Sequence, residues 1–189
     1  MPTTLPPDSP FAPLLAEERL MSLGPGSPNL TVRTLLNSLD PATAFAPHTV
    51  KDRAMAEACL AGIWLYHDYL EESHRISQAI STPTGSYWHG ILHRREPDSW
   101  NSKYWFNRVG RHPVFPELCQ VARELASEQG PPAETRFLRE QNQWDPDAFI
   151  DLCETTRSGK IPTEMLCRKI QLGEWQLLFD YCYRRAIGE

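Results

Sequence analysis

His89 and His93 stand four residues apart in YWHGILHRREPD, residues 87–98, and Glu96 follows three residues later. On a helix these spacings bring side chains to one face. Two neutral imidazoles and a carboxylate placed this way can hold one metal ion, and His74 or His67 from the preceding segment could complete the set. A site of that kind supports metal-assisted hydrolysis. No HExxH motif accompanies the pair, and His67 and His74 have no fixed register with it.

The same stretch offers a second chemistry. Arg94 and Arg95 follow His93 directly, and Arg108 stands in WNSKYWFNRVG near Tyr104 and Trp105. Guanidinium groups among aromatic rings either bind carboxylates and phosphates or form cation–π and ion-pair networks that fix the packing. Nucleophilic signatures are missing: there is no GxSxG, and the five cysteines (Cys59, Cys119, Cys153, Cys167, Cys182) have no histidine close in sequence. Those cysteines lie on helix-like segments with no CxxC pair, so they read as reduced core thiols of a cytoplasmic protein. GPGSP at 24–28 has prolines where a phosphate-cradling loop needs free amide donors. No cofactor motif is present, and none is expected.

Placing 86–96 on a helix sorts the stretch into two sides. Tyr87, Trp88, Ile91 and Leu92 define a buried face whose centre points at Arg95. His89, His93 and Glu96 fall on the opposite side. An arginine in line with an apolar stripe must snorkel past the helix end or find a carboxylate or bound anion, because an unpaired buried charge is costly.

Charge bears on the partner. The 189 residues carry a net charge of −5, which disfavours bulk nucleic-acid binding. Residues 86–112 hold five cations (Arg94, Arg95, Lys103, Arg108, Arg111) against Glu96 and Asp98, a net +3 that leaves −8 elsewhere. No run of about 18 apolar residues is present, so no membrane span is expected. The start, MPTTLPPDSP, lacks the pattern of a secretory leader.

Helices must position these groups. Nine of the 17 prolines lie in residues 1–47, which marks 1–48 as a proline-rich arm. Phe11, Leu14, Leu15 and Leu20 suggest that the arm packs on the body, 49–189. The alanine- and leucine-rich stretch from Thr49 to Leu70 fits a central helix apolar nearly all round. LEESHRISQAI (70–80) follows, and STPTG supplies caps for a helix over 86–96 that stops before Pro97. Asp98 or Ser99 caps the next, to Gly110. Trp100, Tyr104, Trp105, Phe106 and Val109 surround that helix and predict deep burial. Further helices are expected at 117–129, after GPPAE, from Pro146 behind an Asp145 cap, and from Pro162 to Ala186. No alternating strand pattern occurs. The expected fold is all-α, stacked antiparallel helical hairpins in one compact domain.

Two resemblances accompany this reading. DYLEESHRISQAI and PDSWNSKYWFNRV superpose at a spacing of 29 and resemble tetratricopeptide or Sel1-type hairpins, with a period shorter than the usual 34 and no glycine before the turn. TPTGSYWHGILHRREPDSWNSKYWFNRVGRHPVF, with Trp144–Pro146 and Phe149 and the end Glu174–Ala186, resembles the signature of a family of uncharacterised bacterial and fungal proteins, over roughly residues 50–187. That resemblance implies no activity. The functional expectation from the residues is a helical binding module holding an acidic peptide, protein or small anion at about 74–112. Its candidate residues are His74, Trp88, His89, His93, Arg94, Arg95, Tyr104, Trp105 and Arg108. The alternative is a metal-assisted hydrolase using His74, His89, His93 and Glu96.

Overall fold

The computed structural model describes residues 5–6, 8–128 and 133–189, and the regular structure among them is all helical. Nine α-helices follow in order: α1 (Arg33–Ser38), α2 (Arg53–Tyr66), α3 (Leu70–Ser77), α4 (Pro83–Arg95), α5 (Ser99–Val109), α6 (Phe115–Glu128), α7 (Arg136–Glu140), α8 (Pro146–Arg157) and α9 (Glu164–Ile187). Short 3-10 turns at Ala12–Leu14, Leu30–Val32 and Ala133–Thr135 complete the set. The helices stack as hairpins: α2 on α3, α4 on α5, and α3 against α4. Helix α9 packs along α2 and α6, and α8 closes over α5. Residues 129–132, where part of GPPAE falls, lie outside the described residues, as do Met1–Thr4 and Pro7.

Side chains fix the helix starts. Asp52 accepts from Met55 N, Asp98 from Asn101 N and Asp145 from Ala148 N, each satisfying a backbone donor that the first turn leaves free. Thr82 Oγ1 accepts from Gly85 N with Pro83 in the first turn, so α4 begins at 83, three residues before the expected 86.

The expected burial is right for α2 and wrong for α5. Ten of the residues from Ala56 to Tyr66 are buried, several of them alanines that let neighbours approach closely. On α5, only Ser102, Phe106 and Val109 are buried; Trp100 is 75% exposed and Tyr104 46%. Helix α5 lies on the outside, with one face against α4 and another against α8. Its inner seam is tight. Ser102 Oγ–H donates to Gly90 O at 2.8 Å, and a Cβ at Gly90 would stand 2.8 Å from the Phe106 ring. Only glycine allows this approach.

The described part of the arm is tied to the body by side chains and by its own backbone. Phe11 is fully buried against Phe45, Phe179 and Tyr183. Residues 20–25 form a strap with six successive carbonyls held by body side chains. Arg168 donates to Leu20 O and, at 3.0 Å, to Met21 O; Gln171 donates to Ser22 O at 3.0 Å; Arg157 donates to Leu23 O at 3.4 Å. Arg95 donates to Gly24 O and Pro25 O, each at 3.2 Å. Met21 and Leu23 are buried, while Ser22 and Gly24 are half-exposed, the alternation of an extended chain.

Candidate functional site

Helix α4 carries both candidate sets, and its placement corrects the two-sided projection. Every residue from Thr84 to Arg95 is buried. Arg95 points inward, as projected. His89 and His93 are also covered, at 2% and 8% exposure, because α3 and α5 stand where the projection had open solvent.

The arginines are consumed inside the fold. Arg95 donates to Leu65 O at 2.7 Å and to the carbonyls of Gly24 and Pro25, and it forms an ion pair with Asp68. Asp68 sits at φ +65 in the turn between α2 and α3, a conformation aspartate tolerates better than most residues. Its second oxygen takes Arg19 at 2.7 Å. Gly26, at φ +73, packs so close to this carboxylate that a Cβ there would lie 2.7 Å from it. Arg94 is 1% exposed and grips both oxygens of the fully buried Glu174, with Gln171 Oε1 at 3.4 Å and the Phe149 ring beneath it. Burial favours the neutral form of both arginines. In Arg95 burial prevails and the pKa drops; in Arg94 the charge of Glu174 outweighs burial and the pKa rises. Only Nε of Arg94 lacks a partner. Neither guanidinium is available to an external anion.

The aromatic candidates divide. Trp88 is core, fully buried beside Trp175. Tyr104 and Trp105 support the exposed Arg108, whose guanidinium lies 5.9 and 5.3 Å from their ring centres. Trp105 also covers His89, ring to ring at 4.1 Å.

The histidines do converge. His74 from α3 meets His89 and His93 from α4 so that one ring nitrogen of each lies within 4.8 Å of the others. Ser77, one turn after His74, orients His89: its Oγ–H donates to His74 O at 3.3 Å, so the same oxygen accepts from His89 Nδ1 at 3.1 Å. The free lone pair of neutral His89 is then on Nε2. His93 Nδ1 lies 3.0 Å from Glu96 Oε2 but has no aligned hydrogen bond. Burial first, then the neighbouring His93 and His74, push His89 down to about 3. Burial also lowers His93, against the pull of Glu96. Both are neutral at neutral pH, the state in which imidazole binds a metal.

The cluster borders an open depression of about 660 Å³ lined by Pro25, Leu70, Glu71, His74, Glu96 and Asp98. The strap thus supplies one wall and carboxylates the rim. The other buried histidines have different work. His67 Nε2–H donates to Leu14 O at 3.0 Å and ties the arm to α2; His112 Nδ1 accepts from Val114 N while its other nitrogen meets Thr84 Oγ1. Burial lowers each to about 4.

Sequence reasoning missed Ser77, which has a visible signal, a small polar residue three after His74. It also missed Glu174, 80 residues from its arginine, and Asp68 as the partner of Arg95. Compared with protein-family models, with characterised proteins and with solved structures, the chain matches none.

Proposed function

We propose that this protein binds one transition-metal ion through His74, His89 and His93 and performs metal-assisted hydrolysis at the mouth of the depression beside them. The convergence of three ring nitrogens within 4.8 Å carries this reading. A tetrahedral ion at about 2.0–2.1 Å from each nitrogen needs them roughly 3.4 Å apart. Half-buried His74, on the short α3, is best placed to make that adjustment. Three neutral imidazoles with a fourth position open to the depression match the ligand set of catalytic zinc rather than structural zinc. A water at that position would pass its proton to a rim carboxylate, Glu96 or Glu71. The resulting hydroxide would add to the acyl or phosphoryl centre while the proton goes to the leaving group.

The anion-binding alternative loses Arg94 and Arg95, which are saturated by Glu174, Asp68 and backbone carbonyls. Of its arginines, Arg108 stays at the surface.

Elemental analysis of protein purified without chelator, followed by Zn²⁺ and Co²⁺ titration of the stripped protein, tests the proposal. The expected result is one equivalent bound, a higher Tm with zinc, and loss of both in His89→Ala. Absence of binding, with Tm unchanged by EDTA and by zinc, overturns it.

A further inference from the structure

A second cavity, of about 360 Å³, lies between the α5–α6 connection and the segment leading into α8. Its lining includes Arg111, Phe115, Pro116, Asn142, Trp144 and Pro146. The volume suits a small organic molecule. Its walls are rings of aromatic and proline type, and its polar groups are mostly donors. Arg111 is exposed and enters no ion pair among the described residues. Trp144 is 5% exposed, and its Nε1–H is buried without an acceptor. Such an orphaned donor is uncommon in folded proteins and points to a missing acceptor. No carboxylate lines the cavity. The nearest in sequence, Asp145, is turned to Ala148 N as a helix cap. His112, also in the lining, has both nitrogens engaged and is held neutral by burial, so it adds no charge.

We infer that this cavity binds a small carboxylate with a flat apolar body. Arg111 pairs with the carboxylate, and Phe115, Pro116 and Trp144 hold the body. The α8 N-terminus at Pro146 adds a favourable partial charge for an anion. An amide or an alcohol of the same shape forfeits the ion pair with Arg111. The site is separate from the histidine cluster and does not depend on a metal there.

The probe is 3-phenylpropionate, with 3-phenylpropanamide as its neutral counterpart, titrated into the ¹⁵N-labelled full chain. Tryptophan indole N–H resonances are followed, with Trp144 assigned by Trp144→Phe. The expected result is a saturable shift of the Trp144 indole with the acid, and an affinity about tenfold or more lower for the amide and for Arg111→Gln. Arg108→Gln, on the neighbouring helix, should bind like the parent, and EDTA should change nothing. Arg111 is exposed, so its variant retains the fold, which the unshifted remaining resonances report. An unmoved Trp144 indole, equal binding of acid and amide, or full affinity in Arg111→Gln overturns the inference.

Discussion

Consecutive residues of α4 meet opposite treatment. Arg94 and Arg95 are wrapped by carboxylates, carbonyls and an aromatic ring, and between them retain one unpartnered nitrogen. His93, the residue before, is buried with an unaligned Nδ1, and with His74 and His89 it faces an open depression. Both groups are polar, buried and drawn from distant segments. A saturated polar group locks elements together, whereas a buried polar group left short of partners marks a place prepared for something else.

That contrast can be broken in order of expected effect. Glu174→Ala leaves Arg94 charged and unpaired in the core and should cost about 3–5 kcal/mol in urea unfolding, while Arg94→Met with Glu174→Leu should recover most of it. A cost below about 1 kcal/mol for the single variant would show that water reaches Arg94.

The next effect is pH-dependent. His67 and His112, at about 4, and His89, at about 3, lie below the unfolded value of about 6.5. The unfolded chain therefore takes up protons first. Stability is full above about pH 6.5 and falls as pH drops towards 3–4, on the order of 1 kcal/mol per pH unit for each histidine. Denaturation series at pH 7 and pH 5 measure this, and equal midpoints would contradict the burial. Zinc should flatten the profile by holding His89 unprotonated.

A binding effect comes third. Ser77→Ala removes the orienting bond to His89 and should weaken zinc affinity about 10–100-fold with little change in fold, as read by calorimetric titration. If Ser77→Ala unfolds the protein instead, the histidine region is structural like the arginine region. Smallest is Arg108→Ala, which removes an exposed cation–π contact and should shift stability by about 0.5–1 kcal/mol.

The legible parts of the fold were local. The caps at Asp98 and Asp145 and the stop after Arg95 follow from short-range chemistry, as does the inward aim of Arg95. The partners were not legible, because Asp68 reaches Arg95 through a left-handed turn and Glu174 comes from the last helix. The histidine spacing pointed to a shared ligand face, but a projection gives direction and says nothing of what lies beyond it. Helices α2 and α5 both looked apolar all round. The difference lies in size: Ala56, Ala58, Ala61 and Gly62 let neighbours close around α2, while Trp100 and Tyr104 on α5 stack on one another at the surface.

The strap has a consequence for the order in which the chain is made. Four of its six carbonyls wait for donors 134 to 149 residues downstream, on Arg157, Arg168 and Gln171. During synthesis those oxygens have only water until α9 emerges from the ribosome. The segment translated early is thus fastened late, and the wall that Pro25 gives the depression is finished only once α8 and α9 are in place.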